Sequence, residues 1–173
     1  DKGWTLEQFR ADSAKQRELA KEMASTIAHE LKHATQFRRA PWKPGVLFGE
    51  GIEFEWEAYL SGHAYIHQAL KANVQADVSG GDLYDYEEFL GDYDKYLKDV
   101  EGNGIYSDTK RLGDPAYDAL FAARRAAWPR HAAEGYRLLA ERNKANTWLH
   151  KQYLEKAAKA EASAAATRAP TAR

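Results

Sequence analysis

The 173-residue chain contains no cysteine. Disulfide bonds, thiolate-ligated zinc and thiol nucleophiles are thereby excluded, and any metal it holds must be bound through His, Asp or Glu. No apolar run approaches the roughly 18 residues that a membrane span needs. The formal net charge is only −1, so nothing argues for a nucleic-acid partner held by bulk charge. None of these absences assigns a compartment. The chain opens on Asp1 rather than Met, which fits removal of a signal peptide or another upstream segment, and its location is left open.

What is present is a folding composition. Apolar residues make up 44% of the chain, with 5 Trp, 10 Tyr and 6 Phe, enough to build a core in one domain of this length. Charge is unevenly spread. Residues 1–75 balance, residues 76–104 carry net −7, and residues 105–173 carry net +6. Two readings stand side by side: the acidic middle docks partly on the basic last third, or it forms a solvated face.

The pattern is helical almost throughout. Thr5 and Gln8 make a capping box, and from Ser13 to about Phe37 the chain runs without Gly or Pro. Leu19, Met23, Ile27 and Leu31 recur there at helical spacing, the signature of a core-facing stripe. PWKPG at 41–45 is a breaker, and Gly45–Phe48 reads as a short extended piece. Further helices are expected over 52–73 and 82–100, with Ser79-Gly80-Gly81 as a loop. Asp114-Pro115 opens another helix, Trp128-Pro129 ends it, and residues 131–160 form the last. The expectation is a mainly α single domain over residues 1–160 with little or no β. An Ala-rich, frayed tail over 161–173 would follow.

Chemistry concentrates in TIAHELKHATQ, residues 26–36. His29 and His33 are four apart, so on a helix both imidazoles reach one ion from the same face. Glu30 sits beside the first of them, placed to take a proton from water at that ion. A third ligand is needed. The metzincin continuation fails, because Gln36 and Arg39 occupy its Gly and ligand positions. A glutamate on the next helix is the other route, and EGIEFEWEAYL offers Glu50, Glu53, Glu55 and Glu57. Stepping 100° per residue from Ile52 groups Ile52, Trp56, Tyr59, Ile66 and Leu70 on one arc. Glu55 falls inside that arc, Glu53 and Glu57 on the opposite, solvated one, and Glu50 precedes the helix in a turn. Glu55 is the expected third ligand, with Glu53 in reserve should the register differ.

HELKH followed by Glu55-Trp56-Glu57-Ala58 resembles the gluzincin group of zinc metallopeptidases, over roughly residues 26–66. The resemblance implies a peptide- or protein-hydrolysing enzyme with a Zn2+ cofactor held by His29, His33 and Glu55, and Glu30 as general base. The sequence departs from the group at Lys32, where the position is usually uncharged, and at Tyr59, where many members carry an Asp. It also reads as helix before the motif, where most members have a small sheet. The alternative is a catalytically silent metal-binding or interaction module on the same scaffold.

HAYIH, residues 63–67, is a second histidine pair without a following Glu. His63 shares a face with Tyr59, and either residue is a candidate for contacting the ligands or stabilising an oxyanion. Tyr65, Tyr106 and His131 are further oxyanion candidates, and a hydrogen-bonded core histidine is the competing role for His63. Tyr84, Tyr86, Tyr93 and Tyr96 with Phe89 read as core and rim. Substrate is expected to enter beside residues 44–51, pairing with the extended piece there.

Overall fold

The computed structural model describes residues 5–39, 51–72, 78–106 and 109–166. They form α1 (Leu6–Ala11), α2 (Ser13–Arg39), α3 (Ile52–Lys71), α4 (Gly80–Gly91), α5 (Tyr93–Glu101), a 3-10 turn (Gly104–Tyr106), α6 (Pro115–Arg142) and α7 (Thr147–Ala166). The protein is a mainly α, compact single domain. Among the described residues the only β feature is a bridge between Gly51 and Lys110.

Capping chemistry sets most helix starts. The Thr5 N–H donates to Gln8 Oε1 at 3.0 Å, and the Gln8 N–H donates to Thr5 Oγ1 at 3.2 Å, closing the expected box. Asp114 Oδ1 accepts from the Ala116 N–H at 2.8 Å with Pro115 beside it. Ser79 Oγ accepts from the Asp82 N–H at 3.1 Å, so α4 already begins at Gly80, inside the stretch expected to be loop. The expected helix over 82–100 is in fact two. Asp92 takes an extended conformation (φ −158°, ψ 107°) and its carboxylate accepts from the Lys95 N–H at 2.9 Å. An Asp that caps a new helix ends the old one.

Pro129 does not end α6, which runs through it. A proline costs an interior helix about 3 kcal/mol by removing one hydrogen bond and crowding the preceding turn. Here the flanking segments are held by burial of Ala132, Ala133, Tyr136, Leu139 and Ala140. Trp128 adds a hydrogen bond from its indole N–H to the Phe89 carbonyl at 3.3 Å. The real break comes at 143–146, where Asn146 Oδ1 accepts from the Leu149 N–H at 3.2 Å to start α7. That helix runs six residues past 160, to Ala166; residues 167–173 lie outside the described set.

Helix α3 is the axis of the core. Its Ile52, Trp56, Leu60, Ile66 and Leu70 pack with Tyr86, Phe89 and Leu90 of α4, Tyr93, Tyr96 and Leu97 of α5, and Phe121 of α6. The tyrosines divide as expected, with Tyr86, Tyr93 and Tyr96 buried and Tyr84 exposed. The acidic middle docks in part on the basic last third. Asp94 pairs with Arg125 at 2.7 Å and Glu87 with Lys156 at 2.5 Å, while Asp92, Asp99 and Glu101 face solvent.

Helix α2 lies along α3, but with the opposite face inward from the one its apolar stripe suggests. Met23, Ile27 and Leu31 are 43%, 48% and 61% exposed. Ile27 and His29 are two residues apart, about 200° around the helix, so only one of their faces can meet α3. The polar face wins because its groups find partners there. Ser25 closes on α3 at Gly62, where an added Cβ would stand 3.3 Å from the Ser25 carbonyl oxygen.

Candidate metal centre

The inward face of α2 presents His29 and His33 to Glu55 in the first turn of α3. The two Nε2 atoms are 3.0 Å apart, and Glu55 Oε2 lies 3.6 Å from that of His29 and 3.5 Å from that of His33. A tetrahedral ion with bonds of 2.0–2.1 Å separates its ligand atoms by about 3.3 Å. The observed triangle brackets that edge length, so the three donors fit one face of such a site. Among the described residues this is the one group of three or more His, Asp or Glu side chains so arranged.

Which imidazole nitrogen faces Glu55 is set by a residue that sequence reasoning passed over. His33 Nδ1 lies 2.9 Å from Gln36 Oε1. An amide oxygen only accepts, so Nδ1 carries the proton and Nε2 presents its lone pair to the site. Gln36, which is buried, spends its amide N–H groups on Glu57 Oε2 at 3.0 Å and the Phe54 carbonyl at 3.1 Å. The signal was available: Gln36 is three residues from His33, hence on its face of the helix.

Glu55 is held ionised. Burial pushes its carboxyl upward, but His29, His33 and the Tyr106 hydroxyl outweigh this and leave it below the ordinary carboxylate range. Tyr106 in turn lies 3.4 Å, oxygen to oxygen, from Tyr59, and the Tyr59 ring meets His29 edge-on at 4.7 Å. Tyr59 thus supports His29 by packing, at the position where many gluzincins carry an Asp.

The other glutamates correct the helical-wheel reading. Glu53 and Glu57 were expected to be solvated, and both are buried. Glu53, fully enclosed, accepts from the Leu112 N–H at 2.9 Å and lies 3.6 Å from Arg111 Nε. It ties the loop before α6 to α3 and is turned away from the histidines as a reserve ligand. Glu57 accepts from Lys32 at 2.5 Å and from Gln36, with Arg124 at 3.9 Å. Burial raises its carboxyl, and these partners more than reverse the effect. The charge at Lys32 is therefore neutralised internally. A wheel drawn on one helix cannot show this, because the loop at 110–113 and α2 cover the arc it leaves open. Glu50 and the Val46–Phe48 stretch expected to pair with substrate lie outside the described residues.

A cleft of about 400 Å³ opens beside this triangle, lined by His29, Glu30, Tyr59, His63, Asp85 and Tyr106 among others. Glu30 is exposed there. His63 makes no hydrogen bond through either ring nitrogen, so it does not orient Glu55. It stacks on Phe89 at 4.6 Å, and burial together with His131 lowers its pKa to about 3. His67 is a core residue, with Nδ1 2.6 Å from the Tyr86 hydroxyl. No helix among the described residues is long and apolar enough to cross a membrane. No protein-family model, curated protein or solved structure matches the chain.

Proposed function

We propose that the protein is a zinc-dependent peptide hydrolase of gluzincin type. The observation that carries this reading is the triangle of His29 Nε2, His33 Nε2 and Glu55 Oε2, sized for one face of a tetrahedral ion. Three protein donors leave a fourth position for water or substrate, and two neutral imidazoles with one carboxylate suit zinc among the common divalent ions. When bound, zinc supplies Lewis acidity that polarises a carbonyl and acidifies water.

The chain supplies the rest. Glu30 stands on the cleft side of α2, next to His29 and clear of the metal face. It takes the proton of the attacking water and delivers it to the departing amine nitrogen. Gln36 keeps His33 in the ligating tautomer, and Tyr106 keeps Glu55 aimed. Tyr59, which lines the cleft, is the donor to the carbonyl oxygen as it gains charge; His63 is buried against Phe89 and is not.

Calorimetric zinc titration and cleavage of a fluorogenic peptide mixture test this on three proteins. The wild type should bind one zinc and cleave peptide. Glu30→Gln should bind zinc equally and lose at least 100-fold in turnover, the order of effect of removing a general base. His33→Ala should lose both. Undiminished cleavage by Glu30→Gln, or no zinc uptake by the wild type, would sink the proposal. Zinc uptake without any hydrolysis would leave the silent metal-binding module as the reading.

A further inference from the structure

A second cavity, of about 230 Å³, lies between α3, α4, α5 and α6, on the far side of His63 from the ligand cleft. Its walls are largely apolar: Leu60, Phe89 and Trp128, with Ala64 and Ala127. Four polar residues join them, namely His63, Tyr93, Arg124 and His131. Every buried side-chain polar atom without a hydrogen-bond partner among the described residues belongs to the first three: both ring nitrogens of His63, the Tyr93 hydroxyl and Arg124 Nη1.

Sealing such a group without a partner costs about 1–3 kcal/mol, and more for a charged one. Native proteins hold few of them, so their gathering round one cavity points to a polar ligand group there. The neighbours do not answer them. Arg124 spends Nη2 on Glu57 at 3.9 Å, and its guanidinium lies 5.8 Å from the Phe121 ring centroid, leaving Nη1 over. Asp85 Oδ2 stands 3.6 Å from His63 Nε2, beyond hydrogen-bond reach, and accepts instead from Tyr96 at 3.0 Å. Burial keeps the Tyr93 phenol protonated, its pKa pushed up to about 12.

We infer that this cavity is a binding site for a small monocarboxylate with an apolar body, the carboxylate taken by Arg124 and Tyr93. A guanidinium and a phenol are both donors, and the first is permanently charged, so they select an anionic acceptor. Neutral His63 donates or accepts as the ligand requires. Size sets the class of body. An apolar protein cavity of roughly 150 Å³ holds benzene, so about 230 Å³ takes a benzene-sized or six-carbon body with its carboxylate. The metal reading is not needed for this inference, since no residue of the ligand triangle takes part.

Calorimetry on the full chain tests it with hexanoate and its neutral isostere hexanamide. Hexanoate should bind saturably at one site per chain, with hexanamide at least tenfold weaker. Arg124→Gln should abolish the preference for the anion, and Tyr93→Phe should weaken hexanoate about fivefold. Circular dichroism checks the fold of both. Tyr93→Phe removes one oxygen and keeps the ring, so it carries the test even if Arg124→Gln does not fold. Absence of saturable hexanoate binding overturns the inference. So does equal binding of acid and amide, or hexanoate affinity unmoved by Tyr93→Phe.

Discussion

His33 Nδ1 and Gln36 Oε1 stand 2.9 Å apart, and this contact leaves the Nε2 lone pair of His33 facing Glu55. With Gln36 replaced by Ala, the imidazole can rotate and exchange tautomers, and Glu57 loses one of its two close donors. Outer contacts of this kind are worth about 10–100-fold in metal affinity. Gln36→Ala should therefore bind zinc 10–100 times more weakly at one site per chain, as read by competition with a chromogenic chelator. Unchanged affinity would mean that the ring is held by packing alone.

Glu53 gives a contrasting prediction. It is buried, and its carboxylate takes the backbone N–H of Leu112. Glu53→Ala leaves that donor without its acceptor and Arg111 without its nearby carboxylate, a loss of about 3 kcal/mol. Urea denaturation should show that loss while the folded fraction keeps wild-type zinc affinity. A folded Glu53→Ala protein unable to bind zinc would move the third ligand from Glu55 to Glu53.

Acid should destabilise the metal-free protein well above the carboxylate range. His63 and His131 have pKa values lowered to about 3 and about 4, both chiefly by burial. His67 is lowered too, by burial and Lys71, against the pull of Glu134. In the unfolded chain all three titrate near 6.5. The unfolded state thus takes up protons first as pH falls. Their contribution is complete above about pH 6.5 and declines below it, down to about pH 4 for His131 and about pH 3 for His63. At pH 5 His63 and His131 each cost on the order of 2 kcal/mol relative to pH 7. Urea titrations in EDTA at pH 7.5, 6 and 5 should show this decline, and His131→Gln should make it shallower. A flat profile over that interval would contradict the burial of the cluster.

The parts of this fold legible in the sequence are those decided locally. The Thr5–Gln8 box, the Asp114–Pro115 start and the spacing of His29 and His33 involve residues within one turn of each other, and all appear as read. Glu55 was reachable because register within one helix is rigid. What failed was decided between elements. Whether Glu53 and Glu57 meet water depends on the 110–113 loop and on α2, neither of which a wheel of α3 contains. Pro129 stays helical because the turns on either side are buried against other helices. The stripe of α2 misled because apolar spacing gives the shape of a helix face and not its destination. When buried carboxylates on the neighbour need cations and amides, the polar face goes inward.

That inversion of α2 yields the sharpest mutational contrast. If Met23, Ile27 and Leu31 pointed into a core, Ile27→Lys with Leu31→Lys would cost several kcal/mol by burying two charges. In the observed orientation both side chains are about half exposed or more. The double variant should then change stability by no more than about 0.5 kcal/mol per site and leave zinc affinity intact. Gly62→Val is its counterpart on the inner side. A Cβ there stands 3.3 Å from the Ser25 carbonyl oxygen, and the two methyl groups of valine cannot share that crossing without pushing α2 from α3. Because the ligand triangle spans the two helices, a shift of about 1 Å takes His29 and His33 out of range of an ion also held by Glu55. Gly62→Val should lose zinc binding more than it loses stability, and the lysine pair should lose neither. The reverse pattern in paired denaturation and zinc titrations would turn α2 over.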